Sequence, residues 1–460
     1  MKKVTFMCMF YLAVFCFGTL FTSCASKKKN EFQEIDTAVE KSDFQAGIEN
    51  VRRGQEGRRP RYHARNAVSL FLDKGLLEYY AGEYHDSSES LQRAEQLIQE
   101  AQTKSISENF LSYIANDNTK EYPGVDFENL YINVFNALNY YNRGELDGAL
   151  VEIRKLTMTG SGKLYLLGRQ EEGAKRNVVA DAVTELAKLG FTDFPELPES
   201  KPVNFSDSAL VRYLSALFYL GDRNMDSARI EFELINGAFA SNPNIYSFPM
   251  PNAVEAARNV PAGATRLNII GFTGLSPIKE EQKFNQIFPI FQNKVLWYPE
   301  FKLPVMVKRP SRIDRVEIVV GNEKFDLELL EDMGAIVEET YNATFTTIFL
   351  KTYIRTLLKY AAVDIAAELA RQNAPNEMLA LAAVAGALGA KATFDASERA
   401  DLRMARYLPD RALIGGINLE PGSHTVQVHY YSGNFLIDQE VHTVNVRPNA
   451  LNLIQVVNLK

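Results

Sequence analysis

The side chains most able to do chemistry are few, and their spacing suits none of the common reactions. The five histidines are His63, His85, His424, His429 and His442. None forms an i,i+4 pair that would set two imidazoles on one helical face for a metal. His424 and His429 are five apart in a strand-like stretch and project to opposite faces. There is no Gly-x-Ser-x-Gly elbow, Walker loop or dinucleotide fingerprint. Thr159-Gly160-Ser161-Gly162-Lys163 resembles a phosphate loop only in composition and lacks the spacing. The acidic pairs Glu280-Glu281 and Glu338-Glu339 are ordinary surface patterns and do not mark glycosidase carboxylates. One polar set stands out: Lys279, Glu280, Arg355, Lys359, Asp401 and Arg403. It reads as ion pairs that pin a helical insertion onto a strand domain, or as a groove for an anionic ligand or a partner's carboxylates. No cofactor or metal is expected, and the residues lean against an enzymatic activity without excluding one.

The remaining candidate chemistry is on a thiol. The cysteines are Cys8, Cys16 and Cys24. Met1-Lys2-Lys3 is a short basic start, and Val4 to Phe21 is an uncharged apolar run. Leu20-Phe21-Thr22-Ser23-Cys24 follows. This order describes a signal peptide, residues 1–23. The cysteine after the small residue resembles the lipobox of bacterial lipoproteins, with Phe21 where that motif usually has leucine. Cleavage before Cys24 and acylation of its sulfur would hold the chain to a membrane. It also leaves no thiol for disulfides, metal or catalysis. The rival reading is an uncleaved anchor, since the run nears the ~20 residues of a spanning helix. Ala25 in place of aspartate favours the outer membrane, facing the periplasm. Residues 24–30 read as a polar tether.

Loss of Lys2 and Lys3 takes the formal net charge from -7 to -9. An acidic exported chain is a poor nucleic-acid binder. The stretch with Arg52, Arg53, Arg58, Arg59, Arg61 and Arg65 is a local exception. It suits a solvated linker, or contact with anionic lipid or a partner.

Residues 31–241 have helical period. One unit recurs: Gly75 where two helices cross, Gly82 at the turn, then Tyr84, Ser87, Leu91 and Ala94 on the second helix. The second copy has Ala137, Tyr140, Gly144, Leu146, Ala149 and Ile153. A third, with Leu214, Gly221, Ala228 and Phe232, would have a turn two residues longer. A partial copy has Phe44, Gly47 and Val51. The spacing resembles the tetratricopeptide repeat, which implies helix pairs stacked so that each buries its face on the next. Long intervals such as Gly160 to Pro202 predict an irregular array. Its concave surface would serve a peptide or protein.

Pro and Gly punctuation between Asn242 and Gly263 predicts a boundary that proteolysis could cut. Residues 264–460 then read as a β-sandwich-like domain. Strands are predicted over Arg266–Phe272, Gln286–Phe291, Lys302–Lys308, Arg315–Val320, Glu323–Leu327, Ala412–Leu419, Thr425–Tyr431, Phe435–Val446 and Leu451–Leu459. In Thr425–Tyr431, valine alternates with polar residues, as in a half-buried strand. Leu419 to His424 resembles the turn of a hairpin found in prealbumin-like sandwiches. A helical insertion covers about 332–408. In it Leu350, Tyr353, Ile354, Leu357, Ala361, Ile365 and Leu369 recur at helical spacing. Met378 to Ala390 is apolar and too short to span a bilayer. It suits packing inside the domain, or a partner or lipid surface.

Several stretches together resemble a family of bacterial envelope lipoproteins with tetratricopeptide-like helices and a C-terminal strand domain. They are Leu76–Ala94, Tyr122–Arg154, Gly274–Glu281, Arg355–Lys359 and Ala400–Pro409. The last departs from the family, which often has tryptophan where Met404 or Ala405 lies. The resemblance implies an α+β architecture and an envelope location. The expectation is a lipid-anchored cell-envelope adaptor that binds a protein or peptide through its helices. The alternative is an activator or enzyme acting on peptidoglycan, or another envelope polymer, through the C-terminal domain.

Overall fold

A computed structural model describes residues 31–56, 61–105, 118, 120–159, 205, 207–285, 290–292, 295–297 and 300–460. The expected signal peptide, Cys24, the tether and the loop around Ser161 lie outside them.

The described residues before the first strand fold as helix pairs: α1 (Gln33–Glu40) with α2 (Phe44–Arg53), α3 (Ala67–Tyr80) with α4 (Tyr84–Ser105), α5 (Asp126–Asn142) with α6 (Leu146–Thr159), and α7 (Ala209–Gly221) with α8 (Met225–Ser241). A short α9 (Asn252–Arg258) follows. All four pairs turn by the same device. One residue takes a left-handed backbone: Ser42 (φ 57°), Gly82 (φ 79°), Gly144 (φ 79°) and Arg223 (φ 59°). Its N–H donates three residues back, as Gly82 N to Tyr79 O at 3.0 Å. The next N–H donates five back, as Glu83 N to Glu78 O at 2.9 Å. Ser42 and Asp43, Gly144 and Glu145, and Arg223 and Asn224 repeat these bonds. This is the Schellman closure, which satisfies the helix's last carbonyls. The next helix starts two residues after the left-handed one in every pair. The third turn is therefore not longer, as the sequence reading had it. Gly221 ends α7, and Arg223 takes the place of Gly82.

The crossing in the second pair lies where the repeat spacing puts it. A Cβ on Gly75 would stand 2.8 Å from Leu91 and 3.2 Å from Ser90 Cβ, so only glycine lets α3 and α4 approach this closely. Leu91, Ala94, Ala137 and Ala149 are fully buried, and Tyr84 packs at the rim of the same core.

The strand region holds β1 (Thr265–Thr273), β2 (Leu275–Asn285), β3 (Ile290–Gln292), β4 (Val295–Trp297), β5 (Glu300–Arg309), β6 (Arg315–Val320), β7 (Glu323–Asp326) and β8 (Glu328–Asp332). After an insertion of α10 (Met333–Gln372) and α11 (Glu377–Ser397) come β9 (Arg411–Leu419), β10 (Gly422–Ser432), β11 (Phe435–Val446) and β12 (Asn452–Asn458). One sheet runs β12-β1-β9-β8, with β12 parallel to β1; the other runs β11-β10-β6-β7. They face each other across Leu267, Ile269 and Val456 on one side and Val316, Ile318, Val426, Val428 and Tyr430 on the other. The fold is α+β, with a β-sandwich after the helices. The alternation expected in Thr425–Tyr431 holds, with Val426, Val428 and Tyr430 buried. The turn after Leu419 does not close a hairpin. β9 pairs with β1 and β8, and β10 with β6 and β11, so the turn carries the chain from one sheet to the other. β2 has no strand-like signal, because Pro277 and Lys279-Glu280-Glu281 interrupt its pattern; among the described residues it pairs only with β5.

The boundary at 242–263 switches helix to strand but does not divide the core. The outer face of the first sheet, with Ile270, Phe272, Ile414 and Leu453, packs in one continuous cluster with Leu76, Phe135, Leu214 and Phe218 of the helices. Phe135 and Phe272 have ring centroids 5.2 Å apart. Glu331 on β8 accepts hydrogen bonds from Tyr131 Oη (2.9 Å), Ser208 Oγ (2.7 Å), Tyr246 Oη (2.8 Å) and Leu210 N (3.1 Å). Two of these donors, Ser208 and Leu210, form the start of α7.

Candidate functional site

Residues 398–410 form neither helix nor strand, although the sequence reading placed most of them in the helical insertion. They run as a strap across α1, α3 and α5, the first helices of three successive pairs. Most of the strap is buried; only Arg399 and Leu402 are exposed. A buried irregular backbone must find partners for its N–H and C=O groups outside any ladder. Here side chains supply them. Ala405 N donates to Glu128 Oε1, and Arg406 N to Asp73 Oδ1 at 2.7 Å. Ala400 N donates to Glu281 Oε2 at 3.0 Å. Tyr407 O accepts from Tyr80 Oη (2.8 Å), Arg403 O from Lys279 Nζ (3.2 Å) and Glu398 O from Lys302 Nζ (3.0 Å). Leu408 O accepts from Ser276 N at 2.9 Å.

The strap's own side chains are gripped as well. Arg406 makes a two-pronged pair with Asp36, Nε to Oδ1 at 3.0 Å and Nη2 to Oδ2 at 2.7 Å, and lies 4.7 Å over the Phe32 ring. Such fork-to-carboxylate geometry is the strong form of an ion pair. Tyr407 Oη donates to the same carboxylate at 3.1 Å. Arg403 pairs with Asp401 at 2.8 Å, donates Nη1 to Lys120 O at 2.7 Å and lies over Tyr122.

The carboxylates beneath the strap are perturbed. Burial pushes Asp73 up to about 7, against the hydrogen bonds from Arg406 N and Tyr62 Oη that favour its charge. Glu128 is raised by burial in the same way, although Ala405 N, Tyr122 Oη and Val125 N all donate to it. Asp410, at the strap's end, is raised to about 6 by burial and then by the nearby Asp332. Raised carboxyls in a cleft would suggest an acid or base. Asp73 and Glu128 are 1% exposed and spend their oxygens on the strap and on neighbouring tyrosines, so they serve as its anchors.

The polar set singled out in the sequence separates into two groups. Arg355 and Lys359 on α10 meet Glu398, at 2.5 and 2.6 Å. Asp401, Arg403 and Lys279 meet at the helix-facing side of the strap. Glu280 belongs to neither: it is exposed, and its neighbour Glu281 takes the strap contact. Burial lowers Lys279, with Asp401 opposing that shift. The set pins the strap to the insertion at one end and to the helices at the other. Asp36, Asp73, Glu128 and Glu398 were missed in the sequence. Asp73 and Glu128 carry a local signal, each being an acid within a helix whose neighbours are mostly apolar and buried.

The strap and the outer face of the first sheet both pack against the helices. The apolar stretch Met378–Ala390 is instead outside. Met378 and Leu381 are each 76% exposed, and Leu369 and Leu379 are at least half exposed. The stripe on α10 is buried at Tyr353, Ile354 and Leu357 and emerges into solvent at Ile365 and Leu369. No helix among the described residues is long and apolar enough to cross a membrane. A cavity of about 210 Å³ between α8 and α9, lined by Phe232, Asn236, Met250 and Val254, is smaller than the ~300 Å³ at which ligand pockets begin. His85, Asp86 and Glu89 cluster on the exposed side of α4. No protein-family model, curated protein or solved structure matches the chain.

Proposed function

We propose that the chain is a lipid-anchored cell-envelope adaptor, held by acylated Cys24, whose partner contact is the outer half of the α10–α11 hairpin. The observation that carries this reading is the exposure of Ile365, Leu369, Met378, Leu379, Leu381 and Val384 on one projecting element. Contiguous apolar surface of this kind marks an interaction site. The strap already engages α1, α3 and α5, and the hairpin gathers six of the exposed large apolar side chains among the described residues. Two measurements test the reading. Cys24→Ala should leave the chain uncleaved and unlabelled by fatty acid; normal processing would refute the anchor. A photo-cross-linking residue at Leu381, in intact cells, should give a discrete adduct that the same residue at exposed Glu280 does not. Equal or absent adducts at both positions would refute the contact surface.

A further inference from the structure

We infer that the tip of the β10–β11 hairpin, Phe435 and Leu436, dips into the surface of the membrane that holds the acyl chains of Cys24; this rests on the lipid anchor proposed above. Gly433, at φ 57°, and Asn434 make the turn between the two strands. Phe435 opens β11 at 79% exposure, the highest of any large apolar side chain among the described residues, and Leu436 follows at 48%. Inward from the tip, Ile437 already packs on the sandwich core. Neighbouring strand residues point to opposite faces of a sheet. Phe435 and Leu436 therefore leave apolar surface on both sides of the tip. A protein docked on one face would cover one of them; a medium that surrounds the tip covers both.

The place of the tip in the molecule says which medium. Gly433 N donates to Asp314 Oδ2 at 2.6 Å, and Asp314 N to Tyr431 O at 3.0 Å. On the same loop, Arg312 N and Ser311 Oγ both donate to Lys460 O, at 3.0 and 2.7 Å. Lys460 Nζ pairs with Asp438 on β11. The adjoining Leu459 lies in one buried cluster with Ile35 and Val39 of α1. The tip is thus linked to α1 through the 311–314 loop, Lys460 and Leu459. With 8 residues, α1 is about 12 Å long. Cys24 to Asn30 is seven residues, with a reach of at most about 25 Å. A lipid on Cys24 therefore holds the end of the molecule that carries the tip close to the bilayer. One tether leaves a body free to tumble, and burying two apolar side chains in the lipid beside it fixes one orientation. Charge has little part in this, because Arg312 and Lys460 near the tip are offset by Asp314 and Asp438.

Fluorescence quenching of the lipidated full chain, in vesicles of phosphatidylcholine brominated on its acyl chains, tests this. With Cys8 and Cys16 removed at cleavage and Cys24 acylated, an added cysteine is the site for a thiol dye. A dye on Asn434→Cys should be quenched severalfold more than one on Asn322→Cys, in the exposed β6–β7 turn at the far end of the same sheet. Phe435→Ser with Leu436→Ser, at exposed positions that leave circular dichroism unchanged, should bring the Asn434 signal down to that of Asn322. The quenching should persist at high salt, because salt screens charges and not apolar burial. Equal quenching at the two turns, quenching indifferent to the serine pair, or its loss at high salt would overturn the inference, while flotation of the chain with the vesicles would keep the anchor. A chain that carries no lipid and does not float would overturn both. A photo-cross-link from Asn434 to another protein in intact cells, without quenching, would overturn the inference in favour of a protein partner.

Discussion

Asp73 holds two donors at once, Arg406 N on the strap and Tyr62 Oη at 2.7 Å. Its folded carboxyl, pushed up to about 7, binds a proton more tightly than the unfolded aspartate near 4. A raised carboxyl favours folding fully below pH 4, and that contribution is lost as pH rises through 7. Three units correspond to at most about 4 kcal/mol. Denaturant unfolding at pH 5 and pH 8 should therefore find the chain more stable at pH 5 from this group, and Asp73→Asn should flatten the difference. Asparagine can still accept from Arg406 N and donate to Tyr62 Oη. Asp73→Ala cannot, and orphaning two buried donors should cost about 2–4 kcal/mol. If Asp73→Ala melts with wild type, the anchor role is wrong. None of this was legible in spacing, because Asp73 and Arg406 are 333 positions apart. In sequence Asp73 is one acid among many; its meaning comes from a strap whose path only the tertiary fold sets.

Each helix pair ends its first helix on a left-handed residue, and two of the four are not glycine. A side chain in that conformation costs about 1–2 kcal/mol. Arg223→Gly and Ser42→Gly should each raise the melting temperature, since glycine removes the clash and keeps the two closing bonds. Gly82→Ala should lower it and Gly82→Asn should lower it less; no side-chain atom is near, so the effect is one of backbone alone. Gly75→Ala differs in kind. Helix propensity gains about 1 kcal/mol, but overpacking on Leu91 costs about 1–3 kcal/mol, so a net loss is expected. A gain at Gly75→Ala would refute the close crossing. The repeat was readable at Gly82 and Gly144, where glycine advertises the turn. It was misread at Arg223, because the backbone state there is imposed by flanking helices and leaves no mark in the residue type. β10 was legible from its alternation, and β2 was not, since as one of only two strands in its sheet it tolerates Pro277 and exposed charges.

At the scale of the molecule, helices and sandwich share one apolar cluster, tied across it by Glu331, Asp36, Asp73 and Glu128. The two parts should therefore unfold together. Far-ultraviolet dichroism, which follows the helices, and tyrosine dichroism, which follows both parts, should give coincident urea transitions. Two separated transitions, or stable fragments after a cut between 242 and 263, would restore the division that Pro and Gly punctuation suggests.

The last strand, β12, is the parallel neighbour of the first. Tyr141 Oη donates to Leu451 O at 3.0 Å, Asn142 bonds Gln455 at 2.7 Å, and Leu453 joins the helical core. Contacts this distant in sequence have a bearing on time as well as on shape. A chain is synthesised from its N-terminus, so α5 exists for most of that interval without the residues that finish its packing. A long search for distant contacts is slow. The early helices should stay loose until residues near 455 leave the ribosome. Under the export proposed for this chain, that delay would be an advantage: there would be little finished structure to pull apart on the near side of the membrane, and the fold could close on the far one.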